Sequence, residues 1–368
     1  CRGGGGIATR SAPCRRALLL ADVADIVLDF VRMPFQVASC AGPSVTMWGL
    51  RSPRRAPRQY LAHVSGAVYF PSGDWLLTWG VSGRVLVLDA RTGDRLGELQ
   101  RAGALLQVRV LPAGDRVVGQ LADGRTVVWG VPSGRVLRTV GAGSELMADP
   151  VLGVVGGVET FPAGGRVLAW ALGRGAAVWD AVAGAQLCRL RPLHFDVAVA
   201  RVFPRGDKVV TVGQDGRVDV WNASSCTRLG VSVATQRFSD VHVVLGGEAF
   251  AVLGHHSAPT VWNASTGEML RSLSGWSLHM QRVLGSAAFP QGDVLAAFTD
   301  SKVVLWNVTS GEVVRQWSMR PRTIQGIAVS PDGGFLAACG GGRVAVWHLG
   351  SGARAYEFEE PPAAPRHG

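Results

Sequence analysis

The residues able to do chemistry are few and poorly spaced for it. A phosphate-cradling GxxxxGK[ST] loop needs a lysine followed by Ser or Thr, and the two lysines, Lys208 and Lys302, are each followed by Val. There is no HExxH, no GxSxG elbow and no GxGxxG opening a helix. His255 and His256 are adjacent in a turn, where neighbouring rings diverge, so they read as a loop pair rather than metal ligands. Glu359 and Glu360 lead into the tail EEPPAAPRHG, which offers no shielded pocket for general acid–base work. The cysteines (Cys1, Cys14, Cys40, Cys188, Cys226, Cys339) form no CxxC pair and no short-range ligand spacing with His. They read as reduced thiols of an intracellular protein, which places it in the cytoplasm, with the nucleus left open. On this reading the chain carries no catalytic constellation, no metal site and no cofactor.

Two weaker signals remain. RSPRRAPR (51–58), with Arg51, Arg54 and Arg55, is the densest basic run. It suits either a phosphate or acidic partner held by forked guanidinium groups, or a solvated connection between strands. Asn222, Asn263 and Asn307 each open an N-x-[ST] sequon, but all stand at a strand-to-turn junction, where Asn is a good turn former.

Composition bounds the class. At 368 residues, 47% hydrophobic and 17% charged, the chain is long and apolar enough to bury a sizeable core. Of the net charge of +10, residues 1–60 supply nine Arg minus three Asp, or +6, leaving +4 for all the rest. The remainder is nearly neutral, no aromatic residues interleave with the basic run, and no nucleic acid is expected as partner. No stretch approaches 18 uninterrupted apolar residues, which argues against a membrane-spanning helix. ALLLADVADIVL (17–28) contains two Asp and makes a poor signal core. The sequence starts at Cys1 and reads as a fragment or processed product.

Two rulers reveal a repeat. Strand patterns ending in Trp or its substitute place Trp48, Leu88, Trp129, Trp179, Trp221, Trp262, Trp306 and Trp347 at spacings of 40, 41, 50, 42, 41, 44 and 41 residues. A Pro-x-Gly turn recurs as FPSGD (70–74), LPAGD (111–115), FPAGG (161–165), FPRGD (203–207), FPQGD (289–293) and SPDGG (330–334), its Pro 16 or 17 residues before the next Trp position. In LGGE (245–248) Gly246 takes the place of Pro. Pro sets the first corner and Gly supplies the left-handed one, as a tight hairpin requires. Each unit therefore reads as a strand, hairpin, second strand, Trp-ending third strand, small turn and outer fourth strand such as AQLCRL (185–190). Four antiparallel strands per period give a sheet apolar on both faces, and radial stacking buries both.

The repeat resembles the WD-repeat β-propeller family over residues 18–359. The signature dipeptide is intact as Trp179–Asp180 and varied as Trp221–Asn222, Trp262–Asn263 and Trp306–Asn307. The family's structural hydrogen-bond set of His, Thr, Asp and Trp is matched by His194, Thr211, Asp215 and Trp221. The resemblance implies an all-β propeller of seven or eight four-stranded blades, eight being preferred. Residues 18–62 form a degenerate first unit, 1–17 a flexible basic segment and 360–368 a disordered tail.

It also implies a non-catalytic scaffold presenting a rigid face to partner proteins or peptides, such as the C-terminal sensor module of a larger regulator. Two alternatives stand beside it. One is a quinoprotein-like enzyme propeller, suggested by LDARTGD (88–94). The other is a substrate receptor for a cullin ubiquitin ligase, whose Trp-Asp-x-Arg is only approached by Leu88-Asp89-Ala90-Arg91 and Trp48-Gly49-Leu50-Arg51. The one long spacing, between Trp129 and Trp179, marks an insertion at 141–157, with Glu145, Met147 and Asp149 at its tip as candidate partner contacts.

Overall fold

The Pro-Gly segments close tight hairpins. In LPAGD the N–H of Gly114 donates to the Leu111 carbonyl at 2.8 Å, Leu111 donates to the Arg116 carbonyl, and Gly114 has φ 73°, a value that glycine alone adopts freely. Strands on either side pair antiparallel with their neighbours in sequence, and in a computed structural model of the chain this meander is repeated as eight four-stranded sheets. The structure describes the strands of residues 29–60 as backbone only. It describes residues 66–359 apart from 141–155, 172–174, 191–196, 235–237, 276–282, 320–323 and scattered single or paired loop positions.

Sheet 1 comprises Asp29–Phe30, Gln36–Ala41, Ser44–Gly49 and Arg58–Tyr60. The innermost strands of sheets 2 to 8 are Gly66–Tyr69, Leu105–Val110, Gly156–Thr160, Val197–Val202, Phe238–Val244, Gly285–Ala288 and Gly326–Val329. Their outermost strands are Arg95–Leu99, Val136–Val140, Ala185–Leu190, Arg228–Ala234, Met269–Ser272, Val313–Ser318 and Arg354–Glu359. Each innermost strand lies beside the next, and that of sheet 1 meets those of sheets 2 and 8, closing the ring. The molecule is therefore the expected all-β propeller, with seven blades described to their side chains and the sheet at residues 29–60 completing the circle.

Burial explains the stacking. The residue before each Trp position is buried in every blade from 2 to 8, among them Val128, Val178, Val220, Val261 and Val346, and Trp129 and Trp306 are themselves fully buried. Apolar clusters cross each seam from blades 2 and 3 to blades 7 and 8. A sheet covered on both faces loses apolar area to its neighbours rather than to a separate layer, which makes the ring stiff.

One expectation is overturned. Cys188 and Cys226 form a disulfide, with Cα atoms 5.9 Å apart, while Cys339 is a buried thiol whose Sγ donates to the Gly326 carbonyl. The two are 38 residues apart, nearly one period, so the repeat sets them side by side across a seam. A search for CxxC spacing cannot detect such a pair.

Candidate functional site

The polar side chains of the interior gather on the innermost strands. In each sheet the Trp position pairs with a residue of the second strand, and the residue after that one pairs with the innermost strand. The innermost residue so defined is Val68, Arg109, Glu159, Arg201, His242, Ala287 and Ala328 in sheets 2 to 8. Two residues earlier stand Gly66, Gln107, Gly157, Val199, Asp240, Gly285 and Gly326. Sheets 3 to 6 thus form a polar arc around the axis and sheets 7, 8 and 2 an apolar one, which Asp29 of sheet 1 interrupts at the same register between sheets 8 and 2.

Within the polar arc each sheet reaches toward the next. Gln107 Oε1 accepts the N–H of Val158 at 2.9 Å, and Glu159 Oε1 accepts that of Val202 at 3.1 Å. Arg201 lies 3.0 Å from Asp240 Oδ1 and 4.0 Å from Glu159 Oε2. Ser286, on the innermost strand of sheet 7, points back and donates to Asp240 Oδ2 at 3.0 Å. The side chains therefore satisfy the free inner edges that the circular arrangement leaves without strand partners.

Electrostatics separates the two carboxylates. Burial pushes Glu159 above its ordinary value, the charge of Arg201 and the N–H of Val202 pulling it part of the way back. Burial acts on Asp240 the same way, but the charges of His242 and Arg201 and the hydrogen bonds from His242 and the Val241 N–H outweigh it and hold its carboxyl well below the carboxylate range.

Ser286, His242 and Asp240 have the residue types of a nucleophilic relay but not its geometry. Ser286 Oγ is 2.9 Å and Asp240 Oδ2 3.3 Å from the same nitrogen, His242 Nε2, and the hydroxyl also bonds the carboxylate directly. A relay holds the acid on one ring nitrogen and the hydroxyl on the other. The closed triangle binds the strands of sheets 6 and 7 together instead.

A concavity opens at the hairpin end of the seam between sheets 5 and 6. Its volume is about 340 Å³, and its walls carry Arg205, Asp207, Lys208, Glu248, Ser265 and Thr266. Lys208 Nζ already donates to Ser265 Oγ at 3.1 Å. Two cations and two carboxylates leave it without a net sign.

The sequence candidates are placed as follows. Trp221 Nε1 donates to Thr211 Oγ1 at 2.8 Å, joining the third and second strands of sheet 5. Asp215 bonds the N–H of Arg217 and pairs with its guanidinium at 3.2 Å. His194, Glu145, Met147, Asp149, Arg51, Arg54 and Arg55 lie outside the described residues. Asn222, Asn263 and Asn307 each accept two backbone N–H groups through Oδ1, two and three residues on, as Asp180 does in sheet 4. The structural reading of the sequons thus has a geometric basis.

Sequence reasoning missed the polar arc. Its signal was present: Arg109, Glu159 and Arg201 each put a charged residue in an innermost strand three residues before the hairpin Pro.

Comparison with known proteins agrees with this architecture. Residues 313–348 match the family model for the WD domain, G-beta repeat. No curated protein matches the chain significantly. Among solved structures it resembles the computationally designed Ika8 protein at 18% identity and TM-score 0.72, over 90% of this chain and 98% of that one. It also resembles the Myceliophteria thermophila Cps50 (Swd1) β-propeller domain at 15% identity and TM-score 0.61, over 78% of this chain and 97% of that one. At such identities the likeness concerns the fold.

Proposed function

We propose that this chain, a WD-repeat β-propeller, is a non-catalytic scaffold that holds variable loops on a rigid ring for recognition by partner proteins or peptides. The observation that carries the reading is the interior. Seams are apolar, and the inner edges of the polar arc are tied from sheet to sheet by charged and amide side chains, so little ordering entropy is lost when a partner docks. The insertion between Val140, which ends sheet 3, and Gly156, which begins sheet 4, with Glu145, Met147 and Asp149, is our first candidate contact. The basic run with Arg51, Arg54 and Arg55 is the second.

No helix among the described residues is long and apolar enough to cross a membrane. The cytoplasmic reading rested on unpaired cysteines, and the Cys188–Cys226 bridge removes that support.

Affinity purification of the full chain with mass spectrometry tests the reading. Stoichiometric proteins should co-purify, and deleting 141–155 should lose at least one of them. Purified chain that bound quinone and reduced a dye would overturn it.

A further inference from the structure

Every described turn from third to fourth strand is built alike. The residue five positions after the Trp position donates its N–H to the carbonyl four residues earlier: Gly134, Gly184, Gly267, Gly311 and Gly352, at 2.7 to 3.0 Å. Their φ values lie between 67° and 80°, where a side chain is costly. In sheet 5 the same position is Cys226, bonded to the Asn222 carbonyl at 2.9 Å with φ 54°. A cysteine has taken a glycine's place without changing the turn.

The partner position is equally regular. Nine residues after the Trp position, on the outermost strand of the preceding sheet, an arginine lies over this turn at three seams. A Cβ on Gly184 would fall 2.8 Å from Arg138 Cδ, one on Gly311 3.5 Å from Arg271 Cδ, and one on Gly352 2.9 Å from Arg315 Nε. Between sheets 4 and 5 the two positions are Cys188 and Cys226, and they are bonded. A covalent link thus stands where other seams have arginine over glycine. Both cysteines are only partly buried.

We propose that Cys188–Cys226 is a redox-sensitive staple for the rim of the seam between sheets 4 and 5. Oxidised, it locks the outer strand of sheet 4 to the turn of sheet 5. A dithiol reductant breaks the one S–S bond, giving two electrons and two protons to the two Sγ atoms and becoming a disulfide itself. Cys226 then keeps a left-handed backbone with only packing, and no covalent link, across the seam, and this rim opens before the others.

Hydrogen–deuterium exchange on the full chain, oxidised or treated with dithiothreitol, tests this. Amides in 185–190 and 223–228 should exchange about tenfold faster after reduction. Peptides over Arg271 with Gly311, and over Arg315 with Gly352, should not change. No change, or an equal change around the ring, overturns the proposal, as does alkylation of both thiols before any reductant is added. Two variants isolate the backbone contribution. Cys226→Gly and Cys226→Ser both lose the bridge, but only the first restores the residue the turn uses elsewhere. Cys226→Gly should therefore melt at a higher temperature than Cys226→Ser, with reduced wild type melting like the serine variant. Equal melting of the two variants also overturns it.

Discussion

At the register position that carries Glu159 in sheet 4 and Arg201 in sheet 5, sheets 8 and 2 carry Ala328 and Val68. Two residues earlier, sheet 6 has Asp240, whereas sheets 8 and 2 have Gly326 and Gly66. The space beside Gly66 is filled from the second strand, by the ring of Trp79, and that beside Gly285 in sheet 7 by Phe298. The polar arc fills the region near the axis from the innermost strand and gains hydrogen bonds to its free edge. The apolar arc fills it from one strand further out and gains buried area. One backbone register therefore accepts two chemistries, provided a residue that needs room faces one that yields it. Sheet 4 uses both, with Trp170 over Gly157 and Glu159 two residues on.

The comparison breaks most sharply at Arg201. Arg201→Ala leaves Asp240 and Glu159 without their shared guanidinium, and removing one partner of a buried charge network costs about 3 kcal/mol, the low end of the usual range because the groups keep some solvent contact. Val68→Ala, at the matching place in the apolar arc, should cost only about 1 kcal/mol. Urea unfolding of the two variants checks this, and equal losses would mean that the polar arc contributes no more than packing.

This contrast shows what sequence can reveal in a repeat. Features that recur from sheet 2 to sheet 8, the Trp positions, the hairpin Gly and the apolar residue before Trp, were legible because repetition averages out their context. The polar arc and the Cys188–Cys226 bridge are departures from the repeat, and their meaning lies in a neighbour about one period away. Aligning the turns as ARTGD, VPSGR, AVAGA, ASSCT, ASTGE, VTSGE and LGSGA already sets Cys226 in a glycine column. Its partner emerges only when outer strands are aligned as well and adjacent blades are taken to touch. Which face each innermost residue uses depends on strand register, which no spacing in the sequence specifies.

The apolar arc has its own test. A Cβ on Gly66 would run into Cζ2 of the Trp79 ring, so Gly66→Ala must displace the indole and should cost about 2 kcal/mol. Adding Trp79→Leu makes the room and copies the pattern of sheet 5, where Val199 pairs with Val212 at the same register. In a double-mutant cycle the pair should be more stable than the sum of its single changes predicts. Strict additivity would show that Gly66 is not there to make room for the ring.

The smallest effect is expected at Glu159, and its sign is the informative part. A carboxyl whose folded value is raised contributes fully below its unfolded value, about 4.3, and loses that contribution as pH rises through the folded one. Asp240 runs the other way: its depressed value contributes above about 3.9 and is lost as pH falls. Glu159→Gln keeps an oxygen for the Val202 N–H, as Gln107 does for Val158 one sheet earlier, and removes only the ionisation. The variant should match wild type near pH 4 and become the more stable of the two toward pH 7, by no more than about 1 kcal/mol. Unfolding measured across that range should leave the Asp240 contribution common to both proteins. A variant that instead loses ground as pH rises would show that the Glu159 charge serves Arg201 more than burial penalises it.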